Sequence, residues 1–303
     1  MSKIVVIGSI SMDLVMETDR IALEGETVFG QRFSMVPGGK GANQAVAIGR
    51  LSQVGDEIIM LGSVGQDSFG SVLLQNLKDN NISVGNVGTV PQSSGVAQIT
   101  LYNDDNRIIY CPGANGEVDP KNWTNEWQAF ENAALVVLQN EIPHEANRAI
   151  AVFCKEHGIK ILYNPAPARS TDLELLDFVD YFTPNEHECQ ELFPDESLEE
   201  LLEQYPEKLI VTLGTRGSIY SDGKKIHQIP ALKTKPVDTT GAGDTFNGAF
   251  GYGLSQGLPV FEALKFATLA SHLSVQKFGA QGGMPTMKEM KESSYYEKNW
   301  NFE

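Results

Sequence analysis

A glycine-rich segment near the carboxyl end of the chain, residues 238–248, combines features that could perform group transfer. Gly241, Ala242 and Gly243 precede a predicted helix that starts near Asp244. Glycines lack a Cβ, so the N–H groups of this turn can point into one concavity, and the helix dipole adds to their attraction for an anion. Asp244 beside such an anion hole could accept a hydroxyl proton while the hole neutralises an incoming phosphoryl group. The alternative is an aspartate that only caps the helix after a glycine-rich turn.

A second glycine turn, Gly38-Gly39-Lys40-Gly41, leads through Asn43 into another predicted helix. Glycine permits close approach of a small ligand, and Lys40 and Asn43 offer donors to hydroxyl groups. The turn is not a Walker P-loop, because glycine rather than serine or threonine follows the lysine. The GxGxxG spacing of a dinucleotide-binding turn is also absent, which argues against a dehydrogenase. The alternative here is an ordinary surface turn before a helix.

Polar residues also follow the predicted strands at their carboxyl ends, where doubly wound α/β proteins bind ligands. These residues are Ser11, Asp13, Glu141, Asn164, Asn185 and the stretch 212–214. Each alone is explained by the general polarity of loops, but their expected position on one rim favours a site. Asn185 and Glu188 could contact a metal such as Mg²⁺ directly or through water, or could simply form a solvated acidic helix start. The histidines share no ligand spacing and predict no site.

Short apolar runs with helical patterns between them predict the elements that position these residues. The runs read as strands buried on both faces, which is typical of a parallel sheet covered by helices on both sides. Predicted strands cover 4–7, 58–61, 134–138, 160–163, 179–183 and 208–213. Predicted helices cover 43–52, 68–78, 121–133, 144–157, 186–192, 244–256 and 259–276. Alternating strands and helices imply right-handed crossovers, so the predicted fold class is α/β with a doubly wound, mostly parallel sheet.

Four amphipathic segments interrupt this alternation and predict a small β-sheet lid. They cover 13–20, 29–35, 95–102 and 107–111, and they are interleaved with the first βα units, so they cannot form a separate sequential domain. A small projecting sheet has exposed edges and an apolar face, which must cover something or pair with another chain. We therefore expect a lid, with pairing of two lids as one way to bury it.

The composition excludes several classes of partner. Lysine and arginine number 23 against 39 acidic residues, a formal net charge of −16, which argues against nucleic acid and against an anionic membrane surface. No stretch approaches the roughly 18 apolar residues of a membrane span. Three cysteines, far apart and without a CxxC pair, favour a reducing compartment, so we expect a cytoplasmic protein. The segment 286–303 is polar and is expected to be only loosely attached.

At these residues the chain resembles the ribokinase-like carbohydrate kinase family, from Ile4 to about Pro285. The two most specific stretches are 38–45, Gly-Gly-Lys-Gly-Ala-Asn-Gln-Ala, and 238–248, Asp-Thr-Thr-Gly-Ala-Gly-Asp-Thr-Phe-Asn-Gly. The stretches 164–168, 183–186 and 212–217 also resemble the family. The resemblance implies a single kinase domain over 1–285 that transfers phosphate from ATP to the primary 5-hydroxyl of D-ribose, giving ribose 5-phosphate. It also implies a homodimer that forms through the lid.

The resemblance further implies a role for each matching position. Asp244 would take the proton of the sugar hydroxyl, and the N–H groups of Gly241, Ala242 and Gly243 would form the anion hole. Sugar hydroxyls would be held by Ser11, Met12, Asp13, Gly39, Lys40, Gly41, Asn43, Glu141 and Asp244. ATP, as co-substrate, would be held by Asn185, Thr212, Leu213, Gly214, Thr215, Arg216, Gly217, Gly243 and Thr268. Glu188 would act on Mg²⁺ through water, and a monovalent cation, K⁺, would lie among Asp238, Thr240, Ser274, Lys277, Gly279 and Gly283.

Two departures from the family pattern keep other readings open. Ser11 stands where the family usually has asparagine, and the shorter serine leaves the identity of the pentose open. Gln281-Gly282-Gly283 replaces a usual Gln-Pro-Ser, which concerns only the cation loop. The alternatives are a kinase for another pentose or for a nucleoside, and a non-catalytic sugar-binding regulator on the same scaffold.

Overall fold

The computed structural model describes residues 1–103, 105–297 and 300. Its strands are β1 (Lys3–Ile7), β2 (Ser11–Glu17), β3 (Arg32–Gly38), β4 (Glu57–Gly65), β5 (Ser83–Val90), β6 (Gly95–Tyr102), β7 (Asp105–Cys111), β8 (Leu135–Leu138), β9 (Ile161–Tyr163), β10 (Tyr181–Phe182), β11 (Ile210–Thr212), β12 (Ser218–Ser221) and β13 (Ile226–Ile229). Its helices are α1 (Lys40–Leu51), α2 (Ser68–Asp79), α3 (His144–His157), α4 (Glu186–Leu192), α5 (Leu198–Gln204), α6 (Ala242–Ser255), α7 (Val260–Ser274), α8 (Ala280–Gly283) and α9 (Met287–Glu292). No helix in the described ranges is long and apolar enough to cross a membrane.

A six-stranded parallel sheet lies at the centre, in the order β10-β9-β8-β1-β4-β5. Successive side chains of a strand point to opposite faces, and both faces of this sheet are buried. Ile4 and Val6 pack in one apolar cluster with residues of α1, α6 and α7. Val5 and Ile7 pack in a second cluster with residues of α3 and α4. The predicted doubly wound α/β fold is confirmed, because helices cover the sheet on both sides.

A four-stranded sheet, in the order β3-β2-β6-β7, carries the segments predicted as the lid. Its register places Asp13 opposite both Val36 and Ala97, and Ala97 opposite Tyr110, so these four residues share one face. The other face carries Leu14, Met35 and Ile109 in the next row. We call the first of these the inner face and the second the outer face of the small sheet. The strands β2 and β3 begin and end a few residues from the predicted bounds, at 11–17 and 32–38.

The predicted strand 208–213 does not join the central sheet as a regular strand. Its core, β11, pairs antiparallel with β12, and β12 pairs antiparallel with β13, in a separate three-stranded sheet. Isolated parallel bridges, Phe182 with Leu209 and Asn185 with Thr212, join the segments that contain β10 and β11. The strands β5, β12 and β13 and the helices α5, α8 and α9 were not predicted.

The predicted helix 121–133 is wrong. The structure has two 3₁₀ helices there, Pro120–Asn122 and Glu126–Phe130. The Glu126 carboxylate accepts the backbone N–H groups of Thr124 and Asn125, at 2.8 and 3.0 Å. Such local side-chain bonds compete with the backbone bonds of a continuous helix.

The expectation of a loosely attached C-terminal segment is also wrong for its described part. Met290 and Trp300 are buried, and both belong to the apolar cluster around α7. The indole of Trp300 donates to Glu262 of α7 at 2.8 Å. The segment therefore packs on α7, and α9 begins with a capping box at Thr286.

Candidate active site

Asp244 lies in the first turn of α6 and is 8% exposed. Its two carboxylate oxygens accept hydrogen bonds from Asn43 Nδ2 at 2.9 Å and from Gln44 Nε2 at 3.1 Å. Burial raises the pKa of Asp244, while Lys40 and these two amide donors oppose the rise. Two long-range contacts with α1 thus fix the orientation of the carboxylate, as a general base requires.

The turn before α6 provides fewer free amides than the three predicted. Ala242 N–H donates to the carbonyl of Thr239 at 3.2 Å, so it is already bound. Within the described residues, the N–H groups of Gly241 and Gly243 have no hydrogen-bond acceptor. Gly241 has φ +73°, a left-handed conformation that favours glycine, and it turns the chain into α6. The structure therefore leaves Gly241 and Gly243 as donors to an anion and corrects the expected part of Ala242.

The start of α1 meets the loop after β8 through one carboxylate. Glu141 Oε2 accepts Ser9 Oγ at 2.6 Å and the backbone N–H of Lys40 at 2.9 Å. Gly39 has φ +88°, and any Cβ at Gly41 would collide with the backbone of Gly8 and Ser9. Glycine is therefore needed here so that α1 can begin against the end of β1, and α1 starts earlier than the predicted residue 43.

Three carboxylates influence the half-buried Lys40. Burial disfavours its charged form, but Asp244, Glu141 and Glu188 together raise the pKa of Lys40, so it stays an ammonium. Burial also raises the pKa of Asp13 to about 7, and the charges of Glu141 and Asp244 add to that rise. The arrangement is a polar pocket with one cation among acidic groups, which suits a neutral ligand rich in hydroxyl groups.

Of the first residues of β2, Asp13 faces this pocket, whereas the side chains of Ser11 and Met12 are buried. Asp13 lies on the inner face of the small sheet against Gly38, where a Cβ would clash with its carboxylate. Ser11 is 1% exposed, and its hydroxyl accepts Asn115 Nδ2 at 3.0 Å. The Met12 side chain is buried in the apolar cluster around α1, so only its main chain remains for the predicted sugar contact.

A cavity of about 800 Å³ lies between the inner face of the small sheet and the loops 236–240 and 278–280. Asp13 lines it, together with Val36 and Ile99 of the small sheet. Asp244 and Glu141 are not among its lining residues, so the cavity adjoins the polar pocket at Asp13 rather than containing it.

Asn185 and Glu188 cap the start of α4 reciprocally. Asn185 Oδ1 accepts the N–H of Glu188, and Glu188 Oε2 accepts the N–H of Asn185, both at 2.8 Å. This is a capping box, which the spacing Asn-x-x-Glu could have revealed. Burial raises the pKa of Glu188, whereas the Asn185 N–H and Lys40 oppose the rise.

The turn predicted to hold ATP, residues 212–217, lies beside this cap, whereas Thr268 lies in α7. Thr212 forms a parallel bridge with Asn185, and the turn that follows places Gly214, at φ +57°, in open space. The remaining members of this turn are the buried Leu213, the exposed Thr215 and Arg216, and the half-buried Gly217 at its end. Thr268 is instead buried in α7, and its hydroxyl donates to the carbonyl of Leu264 at 2.8 Å.

The predicted cation loop brings two segments together through Asp238. Its carboxylate accepts the N–H groups of Thr240 and Gly279, both at 2.9 Å, and although burial opposes this, these bonds lower the pKa of Asp238. The backbone carbonyl of Ser274 accepts the N–H of Lys277 at 3.3 Å, and a Cβ at Gly283 would collide with it. The Lys277 ammonium pairs with Glu289. The Asp238 carboxylate and the Ser274 carbonyl are oxygen groups, which is the type of ligand that hard cations take.

In the described part of the chain, no three His, Cys, Asp or Glu side chains lie close enough together to hold a metal ion. Mg²⁺ usually keeps several waters and takes one or two protein carboxylates. Glu188 is the carboxylate that the sequence predicts for this purpose.

Sequence reasoning missed several side chains of the site. Gln44 contacts Asp244 and also donates to Asn164 at 3.1 Å, although it lies within the motif 38–45. Gln281 Nε2 donates to Asn43 Oδ1 at 3.0 Å and so connects α8 with the amide that holds Asp244. Gln44 lies in a quoted motif, and Gln281 lies in the stretch assigned to the cation loop alone. That assignment was too narrow for Gln281, because its contact with Asn43 spans more than 200 residues.

Comparisons with known proteins agree with this geometry. A model of the pfkB family of carbohydrate kinases matches residues 1–287. The chain is 62% identical to the ribokinase of Lactococcus lactis over 96% of both chains. It is 47% identical to the ribokinase of Bacillus subtilis over 96% of this chain and 99% of that protein. The structure of Arabidopsis thaliana ribokinase with ribose and ATP superposes with a TM-score of 0.86 at 32% identity, covering 95% of this chain and 97% of the other. The chain belongs to the pfkB family of carbohydrate kinases.

Proposed function

We propose that this chain is an ATP-dependent ribokinase, which transfers the γ-phosphoryl group of ATP to the 5-hydroxyl of D-ribose. The observation that carries the proposal is the Asp244 carboxylate, held by Asn43 and Gln44 beside the free amides of Gly241 and Gly243. The names of the relatives support the same substrate: they are ribokinases at 62% and 47% identity. The products are ribose 5-phosphate and ADP.

In this mechanism Asp244 accepts the proton of the 5-hydroxyl as the hydroxyl oxygen bonds to the γ-phosphorus. The bond from that phosphorus to the bridging oxygen breaks on the opposite side, and ADP leaves with the electron pair. The raised pKa of Asp244 favours its task, because a general base works best when its pKa approaches the working pH. The amides of Gly241 and Gly243, at the positive end of α6, stabilise the negative charge on the transferring group. Phosphoryl transfer depends mainly on this positioning and charge neutralisation.

The sugar is proposed to bind in the polar pocket between α1, β2 and the loop after β8. Asp13, Lys40 and Glu141 offer charged groups to its hydroxyls, Asn43 offers an amide, and Gly39 and Gly41 allow close approach. The inner face of the small sheet covers this pocket and excludes water, which would otherwise compete with the sugar as acceptor.

ATP is proposed to lie along Asn185 and the turn 212–217, with its phosphates directed toward Gly243. Mg²⁺, held through water by Glu188, would neutralise charge on the phosphates. A monovalent cation such as K⁺ would sit in the loop of Asp238, next to the turn that begins α6. Thr268 remains part of this proposal, with its methyl group as the contact because its hydroxyl is bound to Leu264.

The molecule is proposed to work as a homodimer in the cytoplasm, without nucleic acid or membrane partners. Phe33, Met35 and Ile109 on the outer face of the small sheet are 59%, 56% and 63% exposed. An apolar face of this kind on a small sheet favours a second copy as its cover. The cytoplasmic location follows the prediction from the three cysteines, which the structure leaves as free thiols.

The test is ATP consumption with a panel of pentoses, hexoses and nucleosides, each assayed with and without K⁺. We expect turnover with D-ribose above every other sugar, and a higher rate with K⁺. A preference for another pentose would mean that this pentose is the substrate. Another pentose is the main alternative because Ser11 stands where the family usually has asparagine. Clear binding of ribose by calorimetry without any turnover would contradict the kinase and favour a sugar-binding regulator.

A further inference from the structure

Tyr110 is a residue of the small sheet that the proposed mechanism does not use. It lies on β7 opposite Ala97, which in turn lies opposite Asp13 on β2. The three residues therefore form one row across the inner face, with the smallest side chain in the middle. Because alanine has only a methyl group, the phenol can reach over it toward the sugar pocket.

The phenol takes part in a hydrogen-bond group with Asn115 and Ser11. Asn115 Nδ2 donates to the Tyr110 hydroxyl and to Ser11 Oγ, both at 3.0 Å, and Asn115 Oδ1 accepts the N–H of Ile10 at 2.9 Å. An amide nitrogen has two protons, so both donors of Asn115 are used. The hydroxyls of Ser11 and Tyr110 then have two protons between them. One of these protons can form a hydrogen bond between the two oxygens, and the other can be donated to a ligand.

The electrostatic surroundings place this pair at one end of the sugar pocket. Burial raises the pKa of Tyr110 to about 12, with Glu141 and Asp13 among the causes, so the phenol keeps its proton at neutral pH. Asp13 in turn responds to Glu141 and Asp244. Asp13 thus lies close enough to both the base and the phenol for their charges to be coupled through it. A pentose with its primary hydroxyl at Asp244 would extend past Asp13 toward Tyr110.

We propose that Tyr110 is a specificity-determining residue whose hydroxyl, paired with Ser11, donates a hydrogen bond to one secondary hydroxyl of the pentose. The proposal rests on the kinase function proposed above and deepens it. Serine at position 11 has a shorter reach than the asparagine usual in the family, and the phenol brings a donor from the opposite edge of the small sheet. The contact would tell a full pentose from an analogue that lacks this hydroxyl.

The experiment compares Tyr110→Phe with the parent protein on D-ribose and on its 1-, 2- and 3-deoxy analogues. The variant keeps the ring and loses only the hydroxyl. A neutral hydrogen bond is worth a factor of about three to ten in affinity, so we expect KM and the calorimetric Kd for ribose to rise by that factor. We expect kcat to stay within about twofold, because the proposed contact is to a secondary hydroxyl and not to the reacting one. Parent and variant should bind one of the analogues, the one that lacks the contacted hydroxyl, with equal affinity, because neither protein can form this hydrogen bond with it.

The matched control is Tyr205→Phe, since the Tyr205 hydroxyl also accepts a side-chain amide, from Gln204, at the end of α5. It should leave every constant unchanged. Unchanged ribose affinity in Tyr110→Phe, an equal loss with all the sugars, or a loss confined to kcat would overturn the inference. Absence of turnover in the parent itself would contradict the kinase instead, and the ribose Kd would still test Tyr110.

Discussion

Asp244 and Asp13 are two carboxyl groups of one pocket with different surroundings. Asp244 accepts two side-chain amides and faces Lys40, all of which favour its charged form against burial. Every influence on Asp13 raises its pKa: burial first, then the charges of Glu141 and Asp244. The sequence identified both residues and the motif of each. It gave no sign of this difference, because the difference comes from groups more than 100 residues away.

The pKa of Asp13, about 7 in the folded protein against 3.8 as the ordinary value, predicts a pH effect on stability. Between these values the folded state holds a proton that the unfolded state has lost, so the free energy of unfolding falls as pH rises from about 4 to about 7. We expect Asp13→Asn, without ligands, to raise Tm relative to the parent at pH 8 and to leave it nearly unchanged at pH 4.

Thermal denaturation at the two pH values measures this effect. The control is Asp195→Asn at an exposed position, which should show no such pH dependence. The same change in Tm at both pH values for Asp13→Asn would count against a raised pKa. The variant should also bind ribose more weakly if Asp13 holds sugar hydroxyls.

At the scale of elements, the two glycines of the turn into α6 differ in the space around a Cβ, although the backbone amide of each is proposed to bind the transferring group. A Cβ at Gly241 would lie 2.7 Å from the Cβ of Ala280, and its φ of +73° disfavours other residues. A Cβ at Gly243 would meet nothing within 4 Å. The two positions therefore predict opposite results for the same substitution.

We expect Gly241→Ala to destabilise the protein by about 1–2 kcal/mol, through the left-handed conformation and the contact with Ala280. We expect Gly243→Ala to keep or slightly raise Tm, because alanine favours a helix, but to lower kcat/KM for ATP as its methyl group enters the phosphate site. Melting curves and steady-state kinetics measure both. Gly85→Ala in β5, another open position, is the control. Full activity of Gly243→Ala would contradict the assigned phosphate site.

The elements also show which parts of the fold the sequence could predict. Buried strands such as β1 and β8 and the helix α3 have strong apolar patterns, and their predictions are confirmed. The helix 121–133 failed because the Glu126 carboxylate binds the backbone next to it. The strand β5 escaped notice because it contains two glycines and all its residues are exposed or half-buried. Its place at the edge of the sheet is set by β4, which no local pattern reveals.

On the scale of the whole molecule, the small sheet has one face toward the proposed sugar pocket and another on which Phe33, Met35 and Ile109 are exposed. The residues of the outer face, with Ile109 at 63% exposure, would be an aggregation hazard without a cover. Pairing of two copies through this face would bury them and would also hold the inner face in place over the sugar. Sequence alternation predicted the sheet, whereas its partner remains a proposal.

We expect Ile109→Lys to convert a dimer into a monomer, because a buried lysine without a partner disfavours association. Sedimentation of the parent should give about twice the chain mass, and that of the variant about the chain mass. Val54→Lys, at a fully exposed position outside the small sheet, is the control and should remain dimeric. A parent protein that sediments as a monomer would remove this part of the proposal.

The central claim is that the Asp244 carboxylate removes a proton from the sugar during phosphoryl transfer, and kcat together with ribose Kd for Asp244→Asn tests it most directly. The account predicts a kcat lower by a factor of about 100 to 10,000, the usual contribution of a general base. It predicts a ribose Kd within a few-fold of the parent value, since the amide preserves the shape of the side chain and one acceptor oxygen. A variant that turns over within tenfold of the parent rate would contradict the claim.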